Sequence, residues 1–255
     1  MKKCLTTCVL SVVLSSLAMA QTGSTQEAAK DIDPLALRVM KAATDPVKDA
    51  KAYSFRALVS HDLLGTNDQI ITTFSTSEIT MQRPNKLHIK FRGRGEPVEM
   101  FYDGSGKTVL YSPSSKFYTS VDTPTTIDAA LTDISKKGVN MAVRNFLESD
   151  PYQSLTEALT TAYAVGSVDL FDEKVYHLAF TEPGAEWQMW VVGGDTPRVK
   201  RLEVIDTSNS HHPRISVTFF DWDLNPSTSN DMFTFNKPAD AKEIEMLKAV
   251  AEKSK

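Results

Sequence analysis

Five basic residues stand at alternate positions: Lys86, His88, Lys90, Arg92 and Arg94. On a strand, alternate side chains project from one face, so the row would offer positive charge to phosphate headgroups or to an acidic partner. The plainer reading is a solvated outer face whose charges discourage aggregation. No matching acidic strand is evident, and burying several unpaired charges would be prohibitive. The row is therefore expected to face outward. A second set is apolar: Trp187 and Met189 on one strand face, and Phe219 further on. An acyl chain offers no hydrogen bonds, so a wall that holds one needs apolar groups without fixed polar demands. Met suits such a wall because it is flexible and polarizable. An ordinary two-layer core would use the same residues.

Groups with catalytic or metal-binding potential are sparse. His211–His212 would point opposite ways on a strand, no third ligand is spaced nearby, and Pro213 suggests a loop. His177 shares a strand face with Val175 and reads as a satisfied structural histidine. Asp221 and Asp223 are spaced for paired carboxylate chemistry, but a strand end or turn explains them as well. Asp103–Gly104–Ser105–Gly106 lacks the downstream Glu of a calcium loop and reads as a hairpin turn. The chain has no Gly-x-Ser-x-Gly elbow, no His-Glu-x-x-His zinc motif and no Walker loop. Neither a cofactor nor a metal is implied.

The elements that would position these residues follow from periodicity. Asp33 offers an N-cap with Pro34 at the first helical position, and an apolar stripe runs from Leu35 to about Ala43, where Asp45–Pro46 interrupts it. The period then falls to two through a serial meander from Tyr53 to Val121, with turn residues between the runs. Thr125 or Thr126 could cap a helix carrying Ile127, Leu131 and Ile134, which Gly138 would end. Asp150–Pro151 opens a second short helix with Leu155 and Leu159. Strand patterns return from Ala162 to Phe220. A last strand is expected near Met232–Phe235, and a polar helix with Ile244 and Leu247 after Pro238. No βαβ alternation appears, so a parallel doubly wound sheet is not expected. The expected fold is α+β: one antiparallel sheet of about ten or eleven strands, curled because so wide a sheet does not stay flat. The central helices would fill its concave side. With Trp187, Met189 and Phe219, the helix residues Ile127, Leu131 and Ile134 are the candidate lining of an apolar pocket.

Composition narrows the setting. Lys2 and Lys3 precede an apolar run from Val9 to Leu14, followed by Ala18–Met19–Ala20. This is the pattern of an export signal cut before Gln21, and the run is too short for a stable membrane anchor. Both cysteines, Cys4 and Cys8, lie inside it, so a mature chain would hold no disulfide. Its loss takes the net charge from −4 to about −6. An acidic balance disfavours nucleic acid as a partner. The expected organisation is a signal at 1–20, a disordered lead-in at 21–32, one domain at 33–247 and a polar tail at 248–255. The expected location is the periplasm, as a soluble product.

An ordered set of short motifs spans the chain. Arg83–Pro84–Asn85–Lys86–Leu87, Phe101–Tyr102–Asp103–Gly104 and Tyr111–Ser112–Pro113 come first, then Asp150–Pro151–Tyr152 and Tyr176–His177–Leu178. Trp187–Gln188–Met189–Trp190, Pro197–Arg198, Asp221–Trp222 and Phe233-x-Phe235-x-x-Pro238-x-x-Ala241 complete it. In this set the chain resembles a predicted periplasmic family known as domain of unknown function 2092. That family is similar in pattern to the outer-membrane lipoprotein carriers, LolA, LolB and their relatives. The shared elements are the Arg–Pro strand opener, the Asp–Gly turn and the terminal Phe-x-Phe segment. The resemblance implies a half-barrel with helices in its mouth that binds acyl chains or lipid-modified proteins without covalent chemistry. The expected partners are thus an acyl-chain ligand or a lipidated protein, with transient contact to a membrane surface. Two other readings stand beside it: an envelope interaction or sensing module that binds a protein partner through the same half-barrel, and an envelope hydrolase with an unrecognised site.

Overall fold

The computed structural model describes residues 31–170 and 172–245. The export signal expected at 1–20, residues 21–30 of the lead-in expected at 21–32 and the tail at 248–255 lie outside the described residues, while Asp31 and Ile32, the end of that lead-in, form a strand. The chain begins with β1 (Asp31–Ile32) and α1 (Pro34–Asp49). A meander follows: β2 (Ala52–Leu64), β3 (Ile70–Gln82), β4 (Lys86–Arg92), β5 (Val98–Tyr102), β6 (Lys107–Ser112) and β7 (Phe117–Asp122). Next come α2 (Ile127–Lys136), a 3-10 turn at Arg144–Phe146 and α3 (Pro151–Thr156). The second meander is β8 (Thr161–Leu170), β9 (Glu173–Glu182), β10 (Ala185–Val192), β11 (Arg198–Asp206) and β12 (Arg214–Asp223). A 3-10 turn at Asn230–Met232 and β13 (Lys242–Glu243) close the described chain.

All strands join one 13-stranded sheet, ordered β1-β8-β9-β10-β11-β12-β2-β3-β4-β5-β6-β7-β13. The two meanders meet where β12 pairs with β2. The sheet is wider than the ten or eleven strands expected, because each rim carries a two-residue parallel strand, β1 on β8 and β13 on β7. Strands that short leave no period-two pattern to read.

Alternation sorts each strand onto two faces. On one face Tyr53, Phe55 and Ala57 of β2 sit opposite Met81, Ile79 and Ser77 of β3, and Leu87 and Ile89 of β4 continue the rows. This is the concave face, and the helices pack on it in one apolar core. In α1, the Asp33 side chain accepts from the Leu35 amide at 2.8 Å, and Ala36, Met40, Ala43 and Val47 face the sheet. The helix does not stop near Ala43. It runs through Pro46 to Asp49. Pro46 withholds a donor from the Ala42 carbonyl, but Ala42 is exposed and water can serve it, while Val47 gains a buried position beyond the proline.

The C-terminal segment differs most from expectation. Met232–Phe235 is no strand, although Phe-x-Phe mimics one. Phe233 is fully buried, and Phe235 lies among Phe101, Tyr111 and Tyr118 at ring centroid distances of 5.1–5.6 Å. These partners point to the convex face, so the segment straps the outside of the sheet. After Pro238 the chain pairs with the edge strand β7 instead of turning helical, with the Ile244 amide donating to the Tyr118 carbonyl at 2.8 Å. An edge strand presents unpaired backbone groups, and here they capture the segment. Leu247 lies outside the described residues.

Candidate functional site

The six apolar candidates belong to one core. Ile127, Leu131 and Ile134 form the inward stripe of α2, and Trp187, Met189 and Phe219 rise from the concave face. None is more than 4% exposed. Trp187 stacks on Phe180 with centroids 4.0 Å apart. Phe219 joins Phe55, Phe146 and Trp222 in an aromatic cluster. They are packed side chains in this arrangement rather than the walls of an open pocket. The layer between helices and sheet also holds buried Met40, Met81 and Met100. The buried polar residues, Thr44, Ser77, Thr108, Thr123 and Ser216, carry no charge.

Apolar side chains left open lie on the same face, towards the other end of the strands. Register places Phe91 beside Ser77 on one side and Val98 on the other, and Phe117 beside Ser112, all on the concave face. Phe91 is 40% exposed and Phe117 41%. Val59 and Val98 are half-buried there, and Ile71 is 49% exposed near the tip of the β2–β3 hairpin. Half-buried Val59, Leu110, Val139, Met141 and Val204 mark the border where the packed core gives way to this uncovered stretch. The sequence hid this division, because alternation shows which face a residue occupies but not how far along it a helix reaches.

The helix layer is tied down by polar contacts at its far end. The Tyr53 hydroxyl donates to the Phe146 carbonyl at 2.6 Å, and burial raises the pKa of this phenol. Arg83 Nη2 donates to the Val47 carbonyl at 3.3 Å and to the Glu148 carbonyl at 3.1 Å, with its guanidinium over the Tyr53 ring. One cation thereby holds the last turn of α1 and the segment before α3. The lead-in to α2 is pinned as well: Tyr102 donates to the Pro124 carbonyl at 2.8 Å, Asn85 to the Thr125 carbonyl at 3.1 Å, and Thr108 bonds Thr123. In the sequence Arg83 reads only as a strand opener. An arginine whose partners are carbonyls distant in the chain leaves no local signal.

The basic row is split by its surroundings. Lys86, His88, Lys90 and Arg92 lie on the convex face of β4 and Arg94 in the bend beyond it. Lys86 bonds Asn230 of the C-terminal strap. His88 is half-buried, bonded to Glu99 at 3.1 Å and stacked on Phe101. Burial holds its pKa below the usual 6.5, against the pull of Glu99. Lys90 stands in register between Glu78 of β3 and Glu99 of β5. The row thus meets acidic neighbours that the sequence did not reveal, because they sit singly on two different strands. Arg92 and Arg94 are exposed and make no ion pair among the described residues.

The remaining groups do not converge. A bulge separates Asp221 from Asp223: Asp221, at φ 52°, pairs with Arg56, and Asp223 accepts from the Asn225 amide. His177 bonds Gln188 and stacks on Trp190. His211 and His212 lie in the loop between β11 and β12. No group of three or more metal-ligating side chains occurs among the described residues. Asp103–Gly106 is the β5–β6 turn, with Gly104 at φ 77° and Gly106 at φ 95°. A polar cleft of about 540 Å³ lies between α2 and α3, crossed by Arg144, which bonds Glu148 and Thr132. A smaller, mostly apolar cleft of about 180 Å³, lined by Pro46, Val47, Val199 and Leu224, opens between α1 and β11 over Trp222. No helix among the described residues is long and apolar enough to cross a membrane.

Solved structures similar to this one include lipoprotein LppX of Mycobacterium tuberculosis, at 12% identity and a TM-score of 0.48, covering 77% of this chain and 98% of that one. LprF from Mycobacterium bovis is similar at 11% and 0.45, covering 77% and 96%. A LolA superfamily protein from Nitrosomonas europaea is similar at 11% and 0.35, covering 78% and 97%. No curated protein matches the chain. A family model described as predicted periplasmic protein (DUF2092) matches residues 36–247, most of the chain, and the protein belongs to that periplasmic family.

Proposed function

We propose that the protein binds or carries an apolar, acyl-bearing ligand, a lipid or a lipidated protein, without covalent chemistry. The observation that carries this reading is the concave face. Its helix-covered part is packed with apolar side chains, and the helices cover only part of it, leaving Phe91 and Phe117 exposed and Val98 half-buried, beside Ser77 and Ser112, at the edge of the packed core. An acyl chain laid along this stretch would meet Phe91, Val98 and Phe117 on the sheet side, with the Ser112 hydroxyl beside Phe117 donated to Glu96, and the core border on the other. Burying ten methylenes would supply about 8 kcal/mol before the costs of binding. A longer chain would continue under α2, where Leu131 and the methionines can repack around it. The uncharged interior asks nothing polar of such a ligand.

A second reading, an envelope interaction or sensing module, is favoured by one specific observation. The six interior candidates are already satisfied by each other and their neighbours. A module would need only the open stretch and no interior site. Mass spectrometry of lipids extracted from protein purified from its native host separates the two. Stoichiometric acyl lipid supports the carrier. Lipid-free protein co-purifying with one envelope protein supports the module and contradicts the carrier.

A further inference from the structure

The hairpin of β2 and β3 outruns its neighbours. The last pair between β12 and β2 is Ile215 with His61, and the last between β3 and β4 is Thr76 with Arg92. Beyond those points the two strands pair only with each other, up to Leu64 with Ile70. The projecting arm carries Phe74 at 61% exposure and Leu64 and Ile70 at 48% each, all on the convex face. Two-stranded arms in water ordinarily turn polar side chains outward, because each apolar group left in water forgoes its burial.

The charges around this face are unevenly placed. Arg92 stands opposite Thr76, one alternation from Phe74. Arg94 follows it in the bend, where the Gly93 backbone lies against Ser75. Both arginines are exposed and unpaired among the described residues. On the arm itself, Asp62 accepts from the Thr72 hydroxyl at 2.7 Å and from the Arg214 amide. Asp68 lies at the tip with His211 3.9 Å away. The exposed face of the arm therefore carries three large apolar side chains around one hydrogen-bonded carboxylate, Asp62, with the unpaired guanidinium groups of Arg92 and Arg94 at its base.

We propose that this arm is a docking surface for anionic lipid bilayers. Phe74, Leu64 and Ile70 enter the boundary between headgroups and acyl chains, while Arg92 and Arg94 pair with lipid phosphates. A shallow apolar contact flanked by cations fits a bilayer surface, where apolar and anionic layers lie side by side at that depth. The proposal does not depend on the interior accepting a ligand, and it gives the basic row a function through two of its five members.

The test is co-sedimentation of the purified full chain with vesicles of phosphatidylcholine alone and with phosphatidylglycerol added, at low and moderate salt. Four proteins are compared: wild type, Leu64→Ser/Ile70→Ser/Phe74→Ser, Phe74→Leu, and Arg92→Glu/Arg94→Glu. All share the same termini, so those cancel, and thermal melts check that each is folded. The wild type should prefer anionic vesicles and weaken as salt rises. The serine variant should lose binding at least tenfold, and Phe74→Leu should keep most of it. The charge variant should lose the preference for anionic vesicles. Equal binding by the wild type, the serine variant and the charge variant, or no vesicle binding by the wild type, overturns the proposal. A wild-type dimer that the serine variant abolishes, without vesicle binding, overturns it in favour of a second copy as the occupant.

Discussion

The Tyr53 hydroxyl and the Phe146 carbonyl meet at 2.6 Å, joining the second strand of the sheet to the segment between the two central helices. Both groups are buried, so losing the hydroxyl leaves a carbonyl without its donor. Tyr53→Phe should destabilise the protein by about 1–3 kcal/mol, because an unmatched buried acceptor keeps its desolvation cost. Chemical denaturation with an unchanged m-value checks this. A stability equal to wild type would show that water or a shift of the segment replaces the bond.

Arg83 ties the same region through the Val47 and Glu148 carbonyls. Arg83→Leu removes both bonds and should loosen the end of α1 and the segment before α3 more than the sheet. Hydrogen exchange should quicken at residues 47–50 and 146–150 while β9 to β11 stay protected. Arg83→Lys should restore little, since an ammonium cannot reproduce the planar fork. Uniform change across sheet and helices would contradict a local tether.

The architecture was largely legible because its signals are local. Alternation from Tyr53 to Val121 and again from Ala162 to Phe220 marks strands, and Asp33–Pro34 and Asp150–Pro151 mark helix starts that the structure caps with those aspartates. Signals failed where distant groups decide the outcome. Pro46 was expected to end α1, yet packing of Val47 carries the helix past it. Phe233-x-Phe235 alternates like a strand but belongs to a strap held by aromatic side chains of β5, β6 and β7. The site suffered in the same way. Ile127, Leu131 and Ile134 were recognisable as an inward stripe, but how far α2 reaches along the concave face depends on contacts such as Tyr102 to Pro124, which leave no pattern in the sequence.

The β5–β6 turn gives a backbone test. Gly104 sits at φ 77°, and a Cβ there would collide with the side-chain amide of Asn85, which holds the Thr125 carbonyl before α2. Gly104→Ala should cost about 1–3 kcal/mol through the strained φ, plus the displaced amide. Adding Asn85→Ala removes the collision and should recover part of the loss. An unaltered melting temperature in Gly104→Ala would refute the positive φ.

His88 sets a pH dependence. Burial lowers its folded-state pKa below 6.5, so the unfolded chain binds a proton more readily. Above 6.5 neither state is protonated and this group adds no pH dependence. As pH falls through 6.5 and down to the lower folded value, stability should decline, then level off. His88→Gln should flatten that part of the stability profile, and NMR titration of the imidazole should show the lowered midpoint. A midpoint above 6.5 would mean that Glu99 outweighs burial.

Titration with a fluorescent fatty acid tests binding of an acyl chain at the concave face most directly. Phe91→Glu is the informative variant, because Phe91 is already 40% exposed and its replacement should leave the fold intact. Leu131→Glu probes the buried wall and needs a circular dichroism control. Wild type should bind the probe saturably. Phe91→Glu should weaken binding at least tenfold with an unchanged melting temperature, and Leu131→Glu should abolish it while the sheet signal persists. No saturable binding by the wild type, to this probe or to a lipidated peptide, would contradict the carrier reading and leave the interaction module in its place.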